Sequence, residues 1–407
     1  MTKPMLSTLF CGLLMIVATS PTLSIAADSP AEALRRDFVM PDNRAAKFRQ
    51  PDAYFPHRVA MPGDIVMQLP AAAINGSFDV TYEWEGNTYS VEEFNERTRT
   101  NALLILKDRK IVSETYRNGS VPESGFISWS TAKSFVSTLV GTAIEDGYID
   151  YVNDQLTKYL PSLTGSAYNG VSIRDALQMS SGVAWDEESY SFSDLSKPLN
   201  RGWEYSILKH QYRFVEGANE LPRAHPPGEK YNYNTMETCI LSWLVETATK
   251  QRMMSYLEKR LWQPAGMEFQ ASWIIDGPED IGREMADGML AAALRDYGRY
   301  GLMMSRSGQS NNTQIVSGEW VRKATTADRA AVDYGNLYEG YDLGYGYQWW
   351  LFPNGRFEAQ GIYGQFVYVA PQDDVVIVKL SYWPKPWVDN MEFESYAFFD
   401  AVIAALK

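Results

Sequence analysis

Apolar residues in 101–107 and 111–116 form two short runs separated by the polar Asp108-Arg109-Lys110. Such runs split by a turn-forming tripeptide predict a β-hairpin. The period then changes. In residues 130–146, Ala132, Phe135, Val136, Leu139, Val140, Ala143 and Ile144 recur at helical spacing, and Gly147 stands where a helix would stop; this predicts a largely buried helix. Helical spacing dominates from 148 to about 325, in 173–179, 236–249, 253–261 and 291–305. Strand patterns return at 344–351, 357–361, 365–370 and 374–383, and a helix is expected over 393–406. The predicted class is therefore α+β. An α/β lobe with a central antiparallel sheet flanked by helices is expected from about 76–147 and 326–407, with an all-helical lobe of about 148–325 inserted.

Two stretches lack a clear period. Residues 27–75 are rich in Pro, Arg and Ala and read as an irregular extension wrapped on the body. Residues 184–227 are long and aromatic, and structureless connections of that length in compact domains are usually functional. They are expected to form a cleft wall, with Trp185 among its aromatic lining.

The amino terminus follows a different logic. Lys3, an apolar run over 6–18 and the small-residue segment Ser24-Ile25-Ala26-Ala27 predict a secretory signal peptide over 1–26, hence a secreted or periplasmic protein. Phe10 and its neighbours lack the small residues a lipoprotein cleavage box needs, so Cys11 is not read as a lipidation site. No later run reaches the length of a membrane span. Removing the signal leaves Cys239 without an intrachain partner, so no disulfide is expected, and its apolar neighbours predict a buried, inert thiol. Without Lys3 there remain 36 cations against 50 anions, which argues against nucleic-acid or anionic-membrane partners. The three histidines, His57, His210 and His225, are too dispersed for a zinc site. No metal is expected, and no Gly-x-Ser-x-Gly elbow or phosphate loop occurs. Asp186-Glu187-Glu188 reads as a solvated loop.

A serine hydroxyl becomes nucleophilic when a nearby base takes its proton. Ser130-Thr131-Ala132-Lys133 supplies both groups, since residues three apart share a helix face. Burial and the helix dipole are expected to lower the Lys133 pKa. Ser206-Ile207-Leu208-Lys209 has the same spacing but no helix-start signal, and reads as a surface loop. A phenol held by a cation can relay the proton to the leaving atom, and Tyr233, in the run from Pro226 to Thr235, is the candidate.

These residues resemble the β-lactamase-like serine hydrolases: class C β-lactamases, penicillin-binding DD-peptidases, family VIII-type esterases and 6-aminohexanoate-dimer hydrolases. The resemblance runs from Ala102 to the C-terminus. It includes Leu160-Pro161-Ser162-Leu163, Ile173 to Gly182, Pro227-Gly228 to Tyr233, Asp296 to Gly301, Gly344 to Trp350, and Gly361-Ile362-Tyr363-Gly364-Gln365. Asn232-Tyr233-Asn234 and the Tyr-Gln-Trp-Trp segment bring the chain nearest to the 6-aminohexanoate-dimer hydrolases. The resemblance implies a β-lactamase/transpeptidase-like fold and a cofactor-free mechanism. Ser130 would be acylated, with Lys133 as base and Tyr233 as proton relay. The backbone amides of Ser130 and Ile362 would form the oxyanion hole.

Two departures bear on the substrate. The family's third motif carries a cation that binds a carboxylate; here it is Ala359-Gln360-Gly361. The last residue of the Tyr-x-Asn motif region is Thr235, a shorter side chain. With Gln360, Gly361, Thr235 and Trp185 as substrate-binding candidates, the expected substrate is a small carboxylic ester or a linear amide. A class C β-lactamase or DD-peptidase, and a catalytically silent peptide-binding or sensor relative, stay open as alternatives.

Overall fold

The computed structural model describes residues 28–73, 78–187 and 194–407; the expected signal peptide over 1–26 lies outside them. At its centre is a seven-stranded antiparallel sheet. Its strands are β1 (Thr100–Lys107), β2 (Lys110–Tyr116), β3 (Gly344–Tyr345), β4 (Trp350–Leu351), β5 (Phe357–Gly361), β6 (Gln365–Ala370) and β7 (Val375–Ser381). Their order is β3-β4-β5-β6-β7-β1-β2, so the pairing of β7 with β1 joins the late strands to the early hairpin. β6 and β7 are buried throughout and β1 at all but its last residue, as continuous apolar runs covered on both faces should be. In the β1–β2 turn, Asp108 and Arg109 both have left-handed backbones, φ 52° and 66°, the conformation that matches strand twist in a two-residue hairpin.

One face is covered by a helix over Leu294–Ser305 and the other by a helix over Asp389–Ala405. On the first face Gly301 approaches Val367 and Val376 so closely that an added Cβ would lie 2.7 Å from Val376 Cγ1. On the second face Phe399 meets Phe366 and Tyr368 at ring centroid distances of 5.7 and 5.0 Å. Alternation along β6 puts Val367 and its neighbours Phe366 and Tyr368 on opposite sides, which fixes the two-sided sandwich.

The α+β class is as expected, but several boundaries move. The stretch 148–325, read as all-helical, also supplies four strands, Ala271–Ile274, Leu290–Ala292, Gln309–Ser310 and Thr313–Gln314. The last two form a small hairpin, and the first two sit in a second, four-stranded antiparallel sheet between His57–Ala60 and Phe126–Ile127. The helix expected from 291 therefore starts at Leu294, and it belongs to the large sheet. Ala291 and Ala292 are small and apolar, suiting a helix by propensity, and pairing with Phe126 and Ile127 on one side and with Ser272 on the other makes them strand.

The extension over 27–75 is less irregular than its composition suggested. Ser29 caps a helix over Pro30–Val39, accepting a 3.2 Å hydrogen bond from the Glu32 amide, with Pro30 in the first turn. That Ser-Pro-x-Glu start is a helix signal in its own right. The strand expected over 344–351 is instead two short strands, because Gln348 turns inward at φ 64°. Its amide donates to the Ala176 and Leu177 carbonyls at 3.2 and 3.1 Å, while its Oε1 accepts from Thr238 at 2.7 Å. Its own carbonyl accepts from Ser134 at 2.6 Å. Gln348 thus ties the sheet to three helices of the site region.

Candidate active site

Ser128, Trp129 and Ser130 leave the small sheet in a tight turn, and α1, the buried helix over Ala132–Glu145, follows. Trp129 has φ 46°, a left-handed conformation that costs a bulky residue about 1–3 kcal/mol. Aromatic packing holds it there. Phe48, Tyr363 and Trp203 lie 5.4, 5.2 and 6.1 Å from its ring, and the Ser128 hydroxyl donates to the Trp129 carbonyl at 2.9 Å. The turn aims the Ser130 hydroxyl at Lys133, whose Nζ lies 3.0 Å away.

Lys133 is 1% exposed. Its Nζ also donates to the Asp287 carbonyl at 2.7 Å and sits 5.1 Å from the centre of the Tyr233 ring. Burial drives its pKa down, but Tyr233, Asp287 and Glu187 together outweigh that effect, so it stands above the ordinary lysine value. The lowering expected from burial and dipole is overturned by neighbouring charge that the sequence places far away.

Tyr233 precedes α2, the helix over Thr235–Thr249, which Asn234 caps by accepting from the Met236 amide at 2.9 Å. The approach to Tyr233 lies along residues 178–182: the Gly228 amide donates to Ser180 and the Asn232 amide to Met179, both at 2.7 Å. Gly182 has no room for a side chain, since an added Cβ would meet the His225 carbonyl at 2.0 Å. The Tyr233 ring stacks on Trp350 at 5.7 Å and 16°, and its hydroxyl is near enough to Ser130 and Lys133 for both to act on its pKa. Burial raises that pKa, against the pull of Lys133 and Ser130.

Ser130, Thr235, Ile362 and Asp287 share a narrow cleft of about 20 Å³, room for roughly one water molecule. Gly361 lies against the turn: an added Cβ would be 3.0 Å from the Ser130 amide nitrogen. β4 pairs only with Phe357 and Glu358 of β5, leaving that edge of Ala359, Gln360 and Gly361 unpaired by β4. Ala359 is buried, on the face shared with its partner Val367. Gln360 points the other way, donates to Glu392 Oε1 at 2.7 Å and lines a larger cavity of about 450 Å³ that also includes Tyr233.

Ser130, Lys133, Tyr233, Thr235, Gly361 and Ile362 are therefore brought together, and Gln360 stands at the neighbouring cavity. Trp185 lines neither cavity. It packs on Phe214 at 6.3 Å and its indole N–H donates to Glu187, so it supports the site instead of facing it. The acidic loop is not solvated as expected. Asp186 pairs with Lys197, and Glu187 accepts from the Thr235 amide at 3.1 Å and from the Thr235 hydroxyl; Glu188 lies outside the described residues. Ser206 is not on a surface loop either. It is buried in a wide helical turn over Trp203–Leu208 and donates back to the Gly202 carbonyl, while Lys209 pairs with Glu204 at 2.9 Å.

Asp287 was not found by sequence reasoning. Its buried carboxyl is raised to about 7, first by desolvation and, among its charged neighbours, upward by Glu187 and downward by Lys133. Among the described residues its Oδ1 has no hydrogen-bond partner. The only local signal was the Asp287-Gly288 pair, which reads as a turn. Cys239 is buried, and burial pushes its thiol well up. No group of three or more His, Cys, Asp or Glu among the described residues is arranged to hold a metal ion, and no helix there is long and apolar enough to cross a membrane.

The family model described as Beta-lactamase matches residues 90–397. The 6-aminohexanoate-dimer hydrolase of Paenarthrobacter ureafaciens is 31% identical over 302 residues, covering 73% of this chain and 76% of that protein. Among solved structures, a Bacillus anthracis protein assigned as a 6-aminohexanoate-dimer hydrolase matches with TM-score 0.80 at 21% identity, covering 94% of this chain and 99% of that one. A penicillin-binding protein from Bacillus halodurans matches at TM-score 0.58 and 17% identity, over 76% and 99% of the two chains. At these identities the two structures speak for the fold alone.

Proposed function

The chain belongs to the β-lactamase family, and on that premise we propose that it is an exported serine hydrolase that cleaves a carboxylic ester or a linear amide through a Ser130 acyl-enzyme. The observation that carries this reading is the 3.0 Å contact between Lys133 Nζ and Ser130 Oγ in a buried site. Because Lys133 stands above the ordinary lysine value, the reactive form is its minority free amine, which accepts the hydroxyl proton as Ser130 Oγ bonds to the substrate carbonyl carbon. The Ser130 and Ile362 amides donate to the developing oxyanion. Tyr233 gives its phenolic proton to the leaving nitrogen or oxygen as its bond to the carbonyl carbon breaks, and takes in exchange the proton that Lys133 received from Ser130. A water molecule then hydrolyses the acyl-enzyme, giving the acid and regenerating Ser130.

The substrate reading rests on charge. Ala359 stands where a carboxylate-binding cation would be, and no lysine, arginine or histidine among the described residues lines either cavity. A β-lactam or D-Ala-D-Ala carboxylate finds no ionic partner there. Export rests on the signal-like residues 1–26.

The test is to incubate the protein and its Ser130→Ala variant with a fluorophosphonate probe, short p-nitrophenyl esters, a 6-aminohexanoate dimer and nitrocefin. Labelling and ester or amide turnover that vanish in Ser130→Ala are expected. Absence of both in the wild type would overturn the enzyme reading in favour of a silent relative. Efficient nitrocefin cleavage would overturn the substrate preference.

A further inference from the structure

The 450 Å³ cavity beside the catalytic cleft lies within the size range of small-molecule sites. Its charged lining is of one sign: Glu187, Glu339, Asp389 and Glu392, with no cation among the described residues that line it. The rest of the wall is aromatic, from Tyr233, Tyr338, Tyr341, Trp350 and Trp387. Trp350 stacks on Tyr233 at 5.7 Å and on Tyr338 at 6.2 Å, so three rings form a continuous surface leading away from Ser130. Ring faces and carboxylates both attract organic cations, and cages of this composition recognise quaternary ammonium groups.

A simpler account covers part of this. Asp389 and Glu392 stand in the first turn of the helix over Asp389–Ala405, where acidic side chains offset the helix dipole. It does not explain Glu339, which lies outside that helix, nor the aromatic wall, nor the lack of a lysine, arginine or histidine among the described residues that line the cavity with Tyr233.

Resting on the hydrolase reading above, we propose that this cavity holds the leaving-group side of the substrate and selects one that ends in an ammonium. The side of the scissile bond follows from Tyr233, whose ring walls the cavity, whose pKa, raised by burial, is drawn down by the nearby Lys133 and Ser130, and which on the hydrolase reading hands the proton to the departing atom. The narrow cleft at Thr235 and Ile362, with room for about one water molecule, then receives only the scissile carbonyl and the oxyanion that forms on it.

Three butanoate esters of one long-chain alcohol test this, ending in trimethylammonium, in its uncharged tert-butyl isostere and in carboxylate. The charge is remote from the ester, so intrinsic reactivity is matched. The ammonium ester is expected to exceed the tert-butyl ester about tenfold in kcat/KM, with the carboxylate poorest. That ratio should fall several-fold in the rim double variant Glu339→Gln/Asp389→Asn and in high salt. Equal rates for the first two esters, a ratio unmoved by the double variant, or a preference for carboxylate would overturn the proposal. Titration of the trimethylammonium alcohol into Ser130→Ala, followed by calorimetry, separates the two readings. Saturable binding without wild-type turnover overturns only the hydrolase reading; no saturable binding overturns the cation site.

Discussion

Gly361 and Ser130 are in backbone contact: the Cβ that Gly361 lacks would fall 3.0 Å from the Ser130 amide nitrogen and 2.5 Å from the Ser128 carbonyl oxygen. The edge of β5 can lie against the serine turn only because this position has no side chain. Gly361→Ala should push strand and turn apart, costing about 1–3 kcal/mol in stability, as overpacking generally does. Activity should fall further than stability, since the two amides proposed for the oxyanion hole lie on either side of this contact. Thermal melts beside ester turnover check both; wild-type turnover in a folded variant would argue against an oxyanion hole here.

The buried Asp287 carboxyl makes the site sensitive to pH. Its charge helps to hold the Lys133 ammonium above the ordinary lysine value, so Asp287→Asn should lower that pKa and move the rising limb of the kcat/KM profile to lower pH. Stability follows the opposite partner. A carboxyl raised from 3.8 to about 7 binds its proton more tightly in the folded state, so its contribution is present at acidic pH and is lost as pH rises through about 7. The Asn variant lacks that loss, and its melting temperature relative to wild type should be higher at pH 8 than at pH 5.

Glu187 joins the aromatic loop to the start of α2 through Thr235, and its charge also bears on Lys133 and Tyr233. Glu187→Gln keeps an acceptor for the Thr235 amide, whereas Glu187→Ala removes it. Both should shift the Lys133 limb to lower pH, but only the Ala variant should lose on the order of tenfold in kcat/KM, the scale of one lost hydrogen bond to a charged group. Pairwise pH profiles decide this, and equal losses would assign the effect to charge alone.

Phe48 lies far from the serine in sequence, yet its ring packs edge-on against Trp129 at 5.4 Å and against Tyr363 at 5.2 Å. Phe48→Ala should cost about 3–5 kcal/mol and release the strained turn, so turnover should fall even where the protein remains folded. Denaturant titration with parallel fluorophosphonate labelling measures the two effects.

Much of this molecule follows from local pattern. The β1–β2 hairpin, the buried α1 helix and the late strands were legible because apolar period and turn residues act over a few neighbours. Lys133 beside Ser130 was legible for the same reason, as one helical turn sets their separation. Ser206 and Lys209 show the limit: with the same spacing, their hydroxyl and ammonium turn to Gly202 and Glu204. Leu290–Ala292 became strand through pairing that no local propensity announces.

The sequence by itself determined the fold class, the Ser130 and Lys133 pair and the missing cation at Ala359. Only the tertiary structure decided that Lys133 is raised, that Glu187 is bound at Thr235, and that Asp287, Gln348 and the aromatic cavity belong to one region. Those outcomes depend on burial and on charges brought close by the fold, and electrostatic effects in a low-dielectric interior are set by distance in space, which sequence separation does not encode.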